Sequence, residues 1–128
     1  RSAGHKRLGL HAAPGSKEAE FLEEVEPVGD EIIISKTASG VFSSTNIGYI
    51  LKNLDITGLF VTGVYSNECV STAIRVACDL GFHVTLISDA VATVTPELEQ
   101  ATITTMKDRY ARVMTADEAV TEIEDMFL

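Results

Sequence analysis

The sequence predicts an α/β fold of three layers, a parallel sheet between helices, from the order of its apolar segments. Three runs, Glu31–Ser35, Leu59–Val64 and His83–Ser88, are short, continuous and apolar, as strands buried on both faces are. Segments with apolar residues at helical spacing separate and follow them. Strands alternating with helices of ten or more residues make βαβ units, and such units build parallel sheets. A chain of 128 residues is long enough for one such core and too short for two.

Each element has a local reason. The first fifteen residues, with Gly4, Gly9, Pro14 and Gly15, read as loop. A short amphipathic helix follows from Ser16, with Phe21, Leu22 and Val25 on one face, and stops before Pro27. After the first strand, the polar turn Ser43-Ser44-Thr45 caps a helix whose Ile47, Ile50, Leu51 and Leu54 follow i, i+3, i+4, i+7 spacing. The second strand runs into a helix from Cys69 to Leu80, with Ala73, Ile74, Ala77 and Leu80 on one face and Gly81 as its C-terminal cap. Beyond the third strand, Thr95-Pro96-Glu97 opens a helix with a cap, a first-turn proline and an acidic first turn. Ala111–Met114 forms a short last strand, and Thr115-Ala116-Asp117-Glu118 is a capping box for a final helix that turns Val120, Ile123 and Phe127 inward.

Composition narrows the function classes. The net charge of −9 argues against non-specific nucleic-acid binding, which needs clustered Lys and Arg to neutralise phosphates. The acidic excess between Glu97 and Asp125 reads as solvated helix faces, and the basic group Arg1, His5, Lys6, Arg7 and His11 as a solvated arm. Cys69 and Cys78 stand nine positions apart in one expected helix, about 13 Å along its axis, too far for a disulfide. No signal peptide is expected before the fold, and no apolar run reaches the ~20 residues of a membrane span. The expected setting is a reducing cytoplasm, with no membrane and no nucleic-acid partner. The histidines His5, His11 and His83 have no metal-ligand spacing, and the Gly58…Gly63 pair flanks a strand instead of opening a helix, so no metal or cofactor is expected.

Parallel α/β sheets place their sites outside the carboxyl ends of the strands. Lys36, Cys69 and Asp89 each lie just past such an end. A thiol at a helix start meets aligned N–H groups and the positive end of the helix dipole, which favour thiolate, the reactive form. Position alone is equally compatible with Cys69 as a small buried hydrophobe. Lys36 could snorkel to solvent or face Cys69 and stabilise its anion, and Asp89 could serve the site or cap a turn. Cys78, in mid-helix, reads as packing.

The segments Ile34-Ser35-Lys36-Thr37-Ala38-Ser39-Gly40-Val41-Phe42, Gly63-Val64-Tyr65-Ser66-Asn67-Glu68-Cys69-Val70, Ala77-Cys78-Asp79-Leu80-Gly81-Phe82 and Ser88-Asp89-Ala90 together resemble the isochorismatase-like cysteine hydrolases. That superfamily includes nicotinamidases, N-carbamoylsarcosine amidohydrolase, and ureidoacrylate and biuret hydrolases. The resemblance runs from about Val25 onward. It implies a Cys–Asp–Lys triad with Cys69 as nucleophile and Lys36 as the triad lysine. It further implies an oxyanion hole from the backbone N–H groups of Tyr65 and Cys69, and a non-proline cis peptide at Val64–Tyr65. Phe42 would line the substrate pocket, and Tyr65, Asn67 and Glu68 would complete a small wall of mixed polar and aromatic character. The helix from Asn46 to Leu54 leans toward the ureide-cleaving branch.

One part of the family pattern is missing. The catalytic Asp of the resemblance sits in an Asp-x-Gln-x-Asp-Phe type segment on a first, central strand, and no such segment occurs in this chain. The expectation is therefore that residues 1–128 are the C-terminal portion of a single hydrolase domain. An N-terminal segment or a complementary chain would supply the Asp and cover otherwise unpaired strand edges. The leading function is hydrolysis of a C–N bond in a small amide or ureide through a thioester acyl-enzyme, in a homo-oligomer by resemblance. A non-catalytic interaction module and an isochorismatase cleaving a vinyl ether are the other readings.

Overall fold

A computed structural model describes residues 2–9 and 11–128 of the chain. Arg1 and Leu10, both inside the stretch read as loop, lie outside the described residues. The strands are β1 (Gly58–Val64), β2 (His83–Ala92) and β3 (Arg112–Met114), all parallel, in the order β1-β2-β3. The helices are α1 (Ala3–Leu8), α2 (Val41–Ser44), α3 (Ile47–Asn53), α4 (Ser71–Asp79), α5 (Pro96–Met106) and α6 (Ala116–Phe127).

Alternation along the strands sorts side chains to two faces. Leu59 pairs in register with Val84, and Val61 with Leu86. These residues form one core with Val70, Ile74 and Ala77 from the elbow and α4, and Met106 from α5. The opposite face is turned to α6. There Thr85 and Arg112 are register partners, and the Arg112 guanidinium donates to the Thr85 hydroxyl (3.1 Å) and to both carboxylate oxygens of Glu122 (3.2 and 2.7 Å). The hydrogen bond from Arg112 holds the Glu122 carboxyl below its ordinary range. Helices thus cover both faces, as the strand and helix order predicts.

Three expectations change. Glu31–Ser35 joins no sheet among the described residues; it carries no regular secondary structure, and Ile32 and Ile33 are more than half exposed. A β-branched run makes a strand only where a neighbour supplies the ladder. The amphipathic helix expected from Ser16 is two single 3-10 turns, Lys17–Ala19 and Glu23–Val25, and Phe21, Leu22 and Val25 stay exposed. A short helix takes its stability from packing an apolar face, and this face has nothing to pack on. Conversely, the presumed loop at the start contains α1, capped by the Ser2 hydroxyl, which accepts from the His5 N–H, and ended by Gly9 in the left-handed region.

Smaller shifts occur at the boundaries. Ser43 and Ser44 end α2 by donating to the Gly40 carbonyl, while Thr45 accepts the Ile47 N–H and starts α3. The third strand continues past Ser88 to Ala92, with an irregular step where Val61 pairs Leu86 and Gly63 pairs Val91. Asp89 therefore lies within β2, and its carboxylate accepts the Ala116 N–H (2.8 Å), capping α6. This favours the capping reading of Asp89.

The capping box is formed. Thr115 accepts the Glu118 N–H (3.3 Å), and Glu118 accepts the Thr115 N–H (2.8 Å). Thr115→Ala is expected to cost about 1 kcal/mol, the usual value of such a cap, read as a fall in the urea midpoint without a change in slope. No helix of the described residues is long and apolar enough to cross a membrane.

Candidate active site

The site forms where β1 ends. Gly63 takes φ +120°, a left-handed value that suits glycine, and the next bond, Val64–Tyr65, is cis. The chain then makes one π turn, Ser66–Val70, before α4 begins at Ser71. Its bonds span five residues: the Val70 N–H donates to the Tyr65 carbonyl (3.3 Å), and the Ser71 N–H reaches the Ser66 carbonyl. Such turns inside helices recur at functional sites. Sequence spacing explains what the turn presents. Ser66 and Val70 are buried against the core, so Asn67, Glu68 and Cys69 between them turn toward the rim. Cys69 is half-buried with a free thiol. It stands in this turn and not at the first turn of α4, which corrects the expected helix start.

Lys36 arrives from the other side, just before the bend at residues 37–39. The Ser2 N–H donates to the Thr37 carbonyl (3.1 Å), tying the bend to the start of α1. Gly40 lets the same loop close on α4: a Cβ there would meet Ser43 Oγ at 2.6 Å and the Thr72 methyl at 3.5 Å. Lys36 Nζ donates to the Ala38 carbonyl (3.0 Å) and lies 3.5 Å from Cys69 Sγ. Two residues separated by 33 positions thus meet at one strand edge.

The other expected site residues are placed as follows. Tyr65 precedes the turn, partly exposed, and its carbonyl accepts from Glu68 and Val70. Asn67 accepts a hydrogen bond from the Thr93 hydroxyl. Glu68 is exposed, and its carbonyl accepts from the hydroxyls of Ser71 (3.2 Å) and Thr72 (2.7 Å). Phe42 lies in α2, partly buried against the core, and its ring meets that of Phe82 at 6.1 Å.

Two residues escaped sequence reasoning. Ser66 is fully buried with a hydroxyl that has no partner among the described residues. It stands in the same Gly-x-x-Ser-x-x-Cys spacing that marks the elbow, which was the available signal. Thr93 contacts the elbow from 26 residues away, and no local pattern announces it. Among the described residues, no three His, Cys, Asp or Glu side chains gather as a metal would require.

A parallel sheet with a cysteine in the turn after one strand, met by a lysine from a neighbouring loop, defines an α/β protein with a thiol-centred strand-end site. The family model for the isochorismatase domain matches residues 1–118, and the chain belongs to that family. It is similar to the uncharacterized isochorismatase family protein YrdC of Bacillus subtilis, 32% identical over 111 residues covering 78% of this chain and 59% of the relative. It is also similar to the ureidoacrylate amidohydrolase RutB of Agrobacterium fabrum, 26% identical over 107 residues covering 83% and 47%. Among solved structures, an isochorismatase-like hydrolase from Alkaliphilus metalliredigens superposes with a TM-score of 0.86 at 28% identity, over 92% of this chain and 65% of that one. The chain therefore spans roughly half to two thirds of the length of these relatives.

Proposed function

We propose that Cys69 is the nucleophile of a hydrolase that cleaves the C–N bond of a small amide or ureide. The observation that carries this reading is the 3.5 Å approach of Lys36 Nζ to Cys69 Sγ, a cation placed where a thiolate would form. The thiolate attacks the carbonyl carbon and its electrons move onto oxygen. The N–H groups of Tyr65 and Cys69 receive that oxyanion, and Lys36 holds negative charge near the reacting sulfur. Collapse breaks the C–N bond, the amine leaves with a proton, and a thioester remains on Cys69. Water then adds to the thioester, releasing the acid and restoring the thiol.

The proton carrier in this scheme is an Asp outside residues 1–128. Residues 1–128 are then the C-terminal portion of one hydrolase domain, completed by an N-terminal segment or a complementary chain. The open edge of β1 supports this. β1 pairs only with β2 among the described residues, and Phe60 and Val64 on it remain exposed. Asn67 and Glu68, beside Cys69, would meet the substrate. Similarity to a ureidoacrylate amidohydrolase and, at 27% identity, to a nicotinamidase of Arabidopsis thaliana supports ureides and simple amides alike. A homo-oligomer in the cytoplasm is the expected form.

The test is direct. The protein, with the segment supplying the Asp present, is mixed with ureidoacrylate or a primary amide and quenched in acid. Intact-mass analysis is expected to find an acyl adduct that maps to Cys69. Steady turnover with no adduct, and no loss of rate after Cys69 is alkylated, would overturn the reading.

A further inference from the structure

We infer that Thr93 is a positioning residue, which holds the nucleophile elbow in place through Asn67. The inference rests on Cys69 being the nucleophile. Asn67 stands two residues before Cys69 in the π turn, and its side-chain oxygen accepts from the Thr93 hydroxyl. Thr93 follows directly on β2, and its N–H donates to a carboxylate oxygen of Glu99 (3.1 Å) in the first turns of α5. Asn67, Thr93 and Glu99 are all partly buried, so water competes for these bonds less than it would at the surface. A chain of hydrogen bonds therefore runs from α5 through Thr93 into the elbow.

The elbow needs such a support. A π turn carries one extra residue, so the regular helical ladder that would fix Cys69 is interrupted there. The side chain that meets the Cys69 sulfur is that of Lys36, exposed and flexible, whose rotamers cannot set the position of the sulfur. Asn67 pinned to Thr93 fixes the turn from the sheet side. The sulfur is then held where Lys36 Nζ can reach it.

The experiment needs no substrate. In a Cys78→Ser background, leaving Cys69 as the one thiol, alkylation by iodoacetamide is timed at pH 7. Thr93→Val keeps the shape and deletes the hydroxyl; it is expected to slow alkylation by roughly three- to tenfold, a coupling of the size residues in one network show. Thr93→Ser should restore the rate. In a Lys36→Met background, Thr93→Val should change nothing, because the contact it protects is already gone. An unchanged rate, a faster one, or an equal effect in both backgrounds would overturn the inference. Should Thr93→Val fail to fold, Glu99→Ala releases Thr93 from α5, and the same two backgrounds decide in the same way. Failure of the hydrolase reading is separable: turnover persisting in Cys69→Ser would sink that reading while leaving the coupling measurable.

Discussion

Cys69→Ser is expected to lose hydrolytic turnover by roughly 10⁴-fold or more, the scale on which removing one member of a cooperating nucleophilic site acts. Serine keeps the size and the backbone N–H of the residue, so substrate binding and any oxyanion contact survive, and KM should change little. On the proposed mechanism, what goes is the nucleophile. A serine hydroxyl is a far weaker acid than a thiol, so it yields little of the anion that the cation 3.5 Å away could hold. Lys36→Met should cost roughly 10²–10³ in kcat, the loss found when one preorganised electrostatic partner is deleted. Because Lys36 acts on the anion of Cys69, the two losses should not multiply. The double variant is expected to be no slower than Cys69→Ser alone. Kinetics of the three variants on one substrate check this, and full additivity would mean that Lys36 acts elsewhere than on the sulfur.

The part of the site that sequence reveals is the part set by local geometry. A strand ending in Val64, a turn and a helix put Cys69 at a strand end, and β2, α5, β3 and α6 follow from periodicity, caps and a capping box that the structure forms. What sequence hides depends on neighbours. Ile32 and Ile33 look like a buried strand because β-branched residues favour strands wherever a ladder exists, yet no described strand lies beside them. Phe42 sits six residues after Lys36 in the family spacing, and that spacing does not say that its ring turns to Phe82. Thr93 acts across 26 positions, through a side-chain bond that no periodicity encodes. Asp89 shows both effects. Its place after an apolar run suggested a strand tip, and the longer β2 turns it instead to the N-terminus of α6.

Ile74→Ala is expected to be among the most damaging single truncations in the core, at roughly 3–4 kcal/mol within the 2–5 kcal/mol range of such changes. Ile74 has no exposed surface and lies midway along α4, between Val70 and Ala77 on the same buried face. The core cluster that holds Ile74 draws on different elements: Val84 and Leu86 from β2, held by the sheet ladder, and Met106 from the end of α5. Strand residues cannot move in without breaking ladder bonds. Met106 could swing toward the void, which sets the expected loss below the top of the range. A domain of this size has a total stability of roughly 5–15 kcal/mol, so the variant should lose a large fraction of it. Urea unfolding is expected to show a lower midpoint with an unchanged slope, and Ile74→Val a loss of only about 1 kcal/mol. The same truncation tests how rigidly the fold holds its site. Val70 ends the elbow and packs in the same cluster as Ile74, so a void under α4 loosens the turn that carries Cys69. Ile74→Ala should therefore lower kcat below the unfolding transition, whereas an exposed change such as Tyr49→Ala should leave both stability and rate nearly as they were.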